Sequence, residues 1–332
     1  MKITYLLGAG ASAEALPLIK SNKKDNIEHK DSEKGLPESL QDFLNQYEKE
    51  WTVKTINGET GPDHGMLETF RKLNDIAANC LKFGTPDLFA KFLYEKNPRD
   101  NESYLLLKTL ISNYFTLKQY SDSIGRGLGH RSFDQRSLVF LSTISEDGKL
   151  PQNVKIVSWN YDEQLEIAAR KLNSNDENYL TSWPNQNVDY KGDYFLLHLN
   201  GVAGWDYKNF AQELPKEFST YKNFHFSRNP LLSFAWEKKE NHNYNIFFDQ
   251  RLEVLEKMVA GTEILVIIGY SFPFFNRKID EKIFRLLDEK VQIFYQDPNA
   301  ENKISLIKKL FKISNTIEPI TYTEQYFVPF EL

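Results

Sequence analysis

The chain has 332 residues, of which 41% are hydrophobic and 26% charged, so it can form a substantial core and is not disordered throughout. Its formal net charge is −5, without the basic excess typical of proteins that bind a nucleic-acid backbone. We therefore expect no direct nucleic-acid binding.

A single cysteine, Cys80, limits the chemistry of the chain. It cannot form an intramolecular disulfide, which favours a reducing compartment, and it cannot supply a Cys-rich zinc site. The histidines lack the spacing of metal ligands, so we expect no metal. The apolar start of the chain is too short for a membrane anchor and runs into Gly8, so we interpret it as the first strand of a cytoplasmic protein with no membrane partner.

Three short apolar runs predict strands that are buried on both faces of a parallel sheet: Ile3–Leu7, Val154–Ser158 and Ile264–Ile268. Further strands are expected at residues 195–197 and 291–295, and crossover helices at 161–172 and 277–287. This order of strands and helices predicts an α/β fold with a doubly wound, Rossmann-type parallel sheet.

The stretch 36–144 has a different pattern, because its apolar residues recur at helical spacing. We predict a helical insertion subdomain over 36–144, and an α/β core over 1–35 and 145–332. A charged stretch from Lys20 to Lys34 is expected to be a loop. Residues 204–244 are rich in aromatic residues and Asn, and are expected to be irregular.

The first strand is followed by a glycine motif, Gly8-x-Gly10-x-x-Ala13, which predicts a tight turn that opens a helix and binds phosphate at the helix N-terminus. A plain turn between strand and helix is the alternative. An acidic residue at the end of a second strand, which would bind the adenosine ribose in a dehydrogenase, is missing at the expected distance. The predicted cofactor-binding residues of this loop are Gly8, Ala9, Gly10, Ala11 and Ser12.

Polar residues also follow the next two strands, at the sheet edge where ligands bind. Asn160 can orient a ribose hydroxyl or a water, and Asp162 can cap the following helix. His198 and Asn200 are two residues apart and are expected to face the same side, where His198 could act as a base. The alternatives are a simple turn with a helix cap at 160–162 and a hydrogen-bonded structural histidine at 198.

Two later motifs complete the candidate site. Gly269 permits close approach of a ligand, next to Tyr270, and Ser271 can bind a phosphate or a ribose. Asp297 follows the strand at 291–295 and can accept hydrogen bonds from ribose hydroxyls.

Together these motifs resemble the sirtuin superfamily, whose pattern is G-A-G-x-S, T-x-N-x-D, a His-Gly pair and G-x-S. The corresponding segments here are Gly8-Ala9-Gly10-Ala11-Ser12, Ser158-Trp159-Asn160-Tyr161-Asp162, Leu199-Asn200-Gly201 and Gly269-Tyr270-Ser271. The N-Y-D and G-Y-S-F segments of this chain are similar to those of the sirtuin-like branch found in bacterial antiphage defence. The resemblance implies a sirtuin-like core and NAD as the substrate, cleaved to nicotinamide and ADP-ribose.

The chain departs from the family pattern in two respects. Deacylating sirtuins carry a four-cysteine zinc ribbon, and Trp159 stands where they have Gln; both differences argue against an acetyl-lysine substrate. Asn200 occupies the position of the family's catalytic histidine. Either His198 has taken over that role, or Asn200 positions water without a strong base, or the site only binds.

We therefore expect an NAD glycohydrolase that acts as a gated effector in antiphage defence by depleting NAD. The resemblance and the need for a gate imply a homo-oligomer, or a complex with a nucleotide-sensing or ATPase partner. The alternative is a regulatory module of the same fold that binds NAD or ADP-ribose without turnover. A protein deacylase is the third candidate.

Overall fold

The computed structural model describes residues 1–19, 34–56, 64–96, 102–120, 133–173, 176, 179–183, 193–203, 231–237 and 246–332. The chain divides into two units. The first unit comprises residues 1–14, 133–202 and 233–332, and the second comprises residues 15–132 and 203–232.

The described part of the first unit forms a seven-stranded sheet in which all pairings are parallel. Its strands are β1 (Ile3–Leu7), β2 (Val154–Ser158), β3 (Ser182–Trp183), β4 (Leu196–His198), β5 (Ile264–Ile268), β6 (Gln292–Gln296) and β7 (Ile317–Ile320). The strand order is β3-β4-β2-β1-β5-β6-β7. The predicted Rossmann-type parallel sheet is thus confirmed.

The helices of the described residues are α1 (Leu36–Ile56), α2 (His64–Phe83), α3 (Pro86–Lys96), α4 (Glu102–Tyr120), α5 (Gln135–Ile144), α6 (Gln164–Leu172), α7 (Ile246–Val259), α8 (Arg277–Arg285) and α9 (Ala300–Phe311). Both predicted crossover helices are present, as α6 and α8. No helix of this set is long and apolar enough to cross a membrane.

Helices cover both faces of the sheet, which explains why the strands are apolar without alternation. Leu6 of β1 packs with α7, α8 and α9, whereas its neighbours Tyr5 and Leu7 pack with α5 and α6 on the opposite face. Every residue of β1, β2 and β5 is buried. Polar groups near these strands therefore gather where the strands end.

The second unit contains helices α1 to α4, which pack against one another. Their core includes Leu40, Leu73 and Leu110, so the helical spacing recognised in the sequence is confirmed. Cys80 is fully buried among them, and this burial raises the pKa of its thiol to about 12. A thiol with such a pKa is a poor nucleophile near neutral pH.

Helix α5 differs from the prediction, because it was assigned to the helical insertion and instead belongs to the sheet unit. Phe140, Leu141 and Ile144 of α5 lie in the core beneath the sheet, and the ring of Phe140 lies 4.9 Å from that of Tyr5. The helical period identified the element but not the surface on which its apolar face packs. Most of the charged stretch from Lys20 to Lys34, and of the irregular stretch 204–244, lies outside the described residues.

Candidate functional site

The glycine loop follows β1 directly, at the carboxyl end of the sheet. The helix predicted at this point is a single 3₁₀ turn, Ala9–Ser12, and no α-helix follows it among the described residues up to 19. Pro17 limits any extension of this turn into a longer helix, since proline has no N–H to donate and disfavours helical conformation in the residue before it. The loop therefore lacks the helix N-terminus on which the predicted phosphate site depended.

Several amides of the glycine loop donate hydrogen bonds within the protein. Gly8 donates to the carbonyl oxygen of Ile268, and Gly10 to that of Gly269, both at 3.0 Å. The amide of Ala11 donates to Gly8 at 2.9 Å. These N–H groups are consequently not available to a phosphate in this conformation.

The loop after β5 explains why glycine is needed at these positions. A Cβ atom on Gly10 would lie 2.7 Å from Cα of Gly269, and one on Gly8 would lie 2.6 Å from Cα of Tyr270. Gly269 has a φ of 60° and approaches Gly10 equally closely. The glycines of two predicted motifs therefore pack against each other at the switch point of the sheet, between β1 and β5.

Two residues that sequence reasoning missed hold the glycine loop from the other side. The guanidinium of Arg136 donates to the carbonyl oxygens of Gly10 and Ala11, at 3.4 and 3.1 Å. The hydroxyl of Tyr326 donates to Ala11 at 2.5 Å. The carboxylate of buried Asp134 pairs with Arg136 at 2.6 Å and neutralises the positive charge of the guanidinium that holds the loop.

Asn160 connects the glycine loop to the loop that follows β2. Its side-chain Nδ2 donates to the carbonyl oxygen of Gly8 at 3.0 Å and to Oγ of Ser12 at 3.2 Å. Both amide hydrogens are thereby used within the protein. Asn160 thus fixes the relative position of two loops that carry the sirtuin resemblance.

Asp162 lies in the same region and is buried. It accepts a hydrogen bond from the backbone N–H of Gln164, the first residue of α6, at 3.2 Å, although Glu163 occupies the N-cap position itself. Burial raises the pKa of Asp162 to about 6, although a hydrogen bond with Ser12 opposes this shift. Its carboxyl group is therefore poised to change protonation near neutral pH.

His198 ends β4 and forms a buried pair with Glu166 of α6. Nε2 of His198 lies 2.7 Å from Oε1 of Glu166, and Nδ1 lies 3.2 Å from the carbonyl oxygen of Asn160. Burial alone would lower the pKa of His198, but the charge and hydrogen bond of Glu166 raise it above the ordinary value. Conversely, His198 lowers the pKa of Glu166 despite burial. Each group therefore favours the charged form of the other.

Asn200 lies outside this pair, because β4 ends at His198 and residues 199 and 200 form a turn. Its Nδ2 donates to the carbonyl oxygen of Trp159 at 3.1 Å, so His198 and Asn200 bind consecutive carbonyl groups of one loop. Only His198 of these two residues lines the pocket described next.

A polar pocket opens at the carboxyl ends of β1, β2 and β4. It has room for about one water molecule. Its lining residues are Leu7, Ser12, Ser137, Ser158, Asn160, Asp162, Gln164, Leu165, Glu166, His198 and Tyr326. Three ionisable groups with shifted pKa values, those of Asp162, Glu166 and His198, therefore share one small pocket, which is the usual character of a functional site.

The remaining predicted residues, Tyr270, Ser271 and Asp297, do not line this pocket. The hydroxyl of Tyr270 donates to the buried carboxyl of Asp280 at 2.9 Å, which Nε1 of Trp159 also reaches at 3.1 Å. Ser271 is exposed. Asp297 accepts from Nζ of Lys303 at 2.7 Å, so its carboxyl is paired within the protein. The predicted ribose-binding role of Asp297 thus competes with an internal salt bridge.

No protein-family model matches the chain, and no curated protein matches it. The site must therefore be interpreted from its own geometry and chemistry.

Proposed function

We propose that the protein is a sirtuin-like NAD glycohydrolase that cleaves NAD to nicotinamide and ADP-ribose. The observation that supports this proposal is the meeting of Ser12, Asn160 and Asp162, from two motifs of the resemblance, with His198 around one pocket. In the sequence, Asn160 and Ser12 are separated by 148 residues, yet their side chains are hydrogen-bonded. A chance similarity of short motifs would not require them to converge.

The proposed reaction breaks the bond between C1′ of the ribose and the nicotinamide nitrogen. The electron pair of that bond returns to the nitrogen, so nicotinamide leaves as a neutral molecule and needs no acid. Water adds to C1′ and releases one proton. Anionic groups nearby stabilise the positive charge that develops on the sugar. The carboxylate of Glu166 is such a group, and Asp162 joins it when ionised.

The chain's own residues supply positioning in this scheme. Asn160 fixes the glycine loop against the loop after β2, and Arg136 and Tyr326 fix the glycine loop from the other side. Positioning of this kind contributes to catalysis because the reacting groups lose little freedom in the transition state. A zinc-dependent protein deacylase is disfavoured, since the single Cys80 cannot supply the family's zinc ribbon.

A binding module for NAD or ADP-ribose, without turnover, is the second candidate. It is favoured by the environment of His198, whose two ring nitrogens both face hydrogen-bond acceptors. A histidine held in this way has no nitrogen left to accept a proton from water. A role in antiphage defence belongs to the proposal through the resemblance, in which NAD depletion stops an infected cell.

The test is an incubation of the purified chain with NAD, with and without an acetylated peptide, followed by chromatography. Equal amounts of nicotinamide and ADP-ribose without peptide are expected. Saturable binding of ADP-ribose without any nicotinamide release would support the binding module instead. Turnover that depends on the peptide would restore the deacylase.

A further inference from the structure

The pairing of His198 leaves the pocket without a histidine base. The carbonyl oxygen of Asn160 can only accept a hydrogen bond, and the carboxylate of Glu166 also accepts one. Both nitrogens of His198 must then donate, at 3.2 and 2.7 Å. The imidazolium can hold Glu166 in place, but it cannot take a proton.

Glu166 has one carboxylate oxygen in use and one to spare. Oε1 receives the hydrogen bond from His198, whereas Oε2 is buried and has no hydrogen-bond partner among the described residues. A buried carboxylate oxygen without a hydrogen-bond donor is unfavourable, because it has lost its hydration without a replacement. No group of the described residues donates to this oxygen, so it is available to a donor from solvent or from a bound molecule.

The size and lining of the pocket identify that donor. The space beside Glu166 holds about one water molecule, and hydroxyl groups of Ser12, Ser137 and Tyr326 line it as further partners. A ribose does not fit in this space, whereas a single water does. We propose that Oε2 of Glu166 accepts a hydrogen bond from the water that attacks C1′, with His198 as the positioning residue that holds the carboxylate.

This inference rests on the proposed NAD glycohydrolase function. As the C1′–nitrogen bond breaks, its electron pair passes to nicotinamide, and the water oxygen forms the new bond to C1′. The water then carries a positive charge and is strongly acidic. Its proton passes to Oε2 of Glu166 and from there to solvent, which restores the carboxylate. A weak base suffices for such a transfer, so the lowered pKa of Glu166 is no obstacle.

The variant Glu166→Gln tests the role of this oxygen. The glutamine can keep an acceptor toward His198 while it turns the second oxygen into a donor. We expect nicotinamide release to fall by about 10²-fold or more, while the dissociation constant of ADP-ribose changes less than about twofold. Glu256→Gln is the control, because Glu256 is half exposed, pairs with Lys282 at 2.5 Å and lies outside the pocket.

Methanol provides a readout that a structural role would not change. When methanol is added, the ratio of methyl ADP-ribose to ADP-ribose reports which nucleophile the pocket admits. We expect the wild type to yield almost only ADP-ribose, and Glu166→Ala, with its enlarged pocket, to yield a larger methyl share.

Each outcome decides a separate question. Normal turnover and an unchanged methanol ratio in folded Glu166 variants would overturn this inference and leave the proposed function intact. Weaker ADP-ribose binding in step with the lost activity would also overturn it, since Glu166 would then bind the sugar and not the water. A wild type that binds ADP-ribose but releases no nicotinamide would overturn both.

Discussion

His198 illustrates how a single residue can be well placed and still have a role other than the expected one. The sequence placed it correctly at the end of a buried strand, and left open whether it is a base or a structural histidine. Its hydrogen bonds to Asn160 and Glu166 favour an imidazolium that orients a carboxylate. These hydrogen bonds therefore predict the protonation state of His198, which can be measured.

We predict that His198 stays protonated at pH 7. Because its pKa is raised in the folded state, its contribution to the free energy of unfolding is complete below the ordinary value of about 6.5 and is lost as the pH rises through the folded value. Histidine nitrogen shifts measured by NMR should show two protonated nitrogens, and Glu166→Gln should lower the pKa. A neutral ring at pH 7 in the wild type would restore His198 as a base.

Asp280 gives a second prediction at this scale. It is fully buried, and burial raises its pKa to about 8, although hydrogen bonds from Tyr270 and Trp159 oppose the shift. The folded state therefore holds this proton more tightly, and the resulting stabilisation is lost as the pH rises from about 4 through about 8. Asp280→Asn should weaken this fall in the free energy of unfolding, measured by urea denaturation.

An exposed aspartate controls for the change of residue type in that experiment. Asp75→Asn on α2 should leave the pH dependence as it is in the wild type. If Asp280→Asn and the wild type lose stability in parallel over this pH range, Asp280 is not the group responsible.

At the scale of elements, the contact between the loops after β1 and β5 determines the shape of the candidate site. Gly269→Ala should lower the free energy of unfolding by more than the strain of a left-handed alanine alone. The new Cβ atom would also lie 2.5 Å from the backbone of Gly10. Gly261→Ala is the matched control, since Gly261 has a φ of 72° but nothing within 4 Å. We expect a loss of about 1–2 kcal/mol for the control.

Thermal and urea unfolding of the two variants provide the comparison. The difference between the two losses measures the steric contact between the loops, because alanine must adopt the strained left-handed conformation in both variants. Equal losses would show that the loops can separate without cost. The glycine loop would then not depend on Gly269.

The elements that the sequence predicted well are those whose pattern is local. The strands β1, β2 and β5 are buried on both faces, so their apolar runs are continuous, and Asn160, Asp162 and His198 follow at strand ends. Contacts between residues that are far apart in the sequence produce no such local pattern. Tyr326, for example, reaches Ala11 across 315 residues, and no local pattern marks that pairing.

Glu166 was also missed, although it lies four residues after Asp162. That spacing could have suggested that the two carboxyl groups share a pocket. Its partner His198 comes from a different strand, however, and pairing between α6 and β4 depends on the strand order of the sheet. The helix expected after the glycine loop is only a 3₁₀ turn, and Pro17 limits its extension.

For the whole molecule, an NAD hydrolase must be controlled, since free activity would drain the cofactor pool of its own host. We therefore predict that the isolated chain turns over NAD slowly, and that a second copy or a nucleotide-sensing or ATPase partner accelerates it. The charged stretch from Lys20 to Lys34, expected to be a loop, lies outside the described residues except for Lys34. Turnover measured against protein concentration, with the mass from light scattering, tests this. A fast rate from a monomer, independent of concentration, would contradict it.

The central claim is that loops separated in sequence form one site that cleaves NAD. The most direct test is the rate of nicotinamide release without peptide, compared between the wild type and the variants Ser12→Ala, Asn160→Ala and Asp162→Asn, with Glu256→Gln as the control. We predict that the wild type and the control release nicotinamide and ADP-ribose in equal amounts, and that each pocket variant is slower by about 10²-fold or more. Nicotinamide release that is unchanged in all three folded variants would contradict the account.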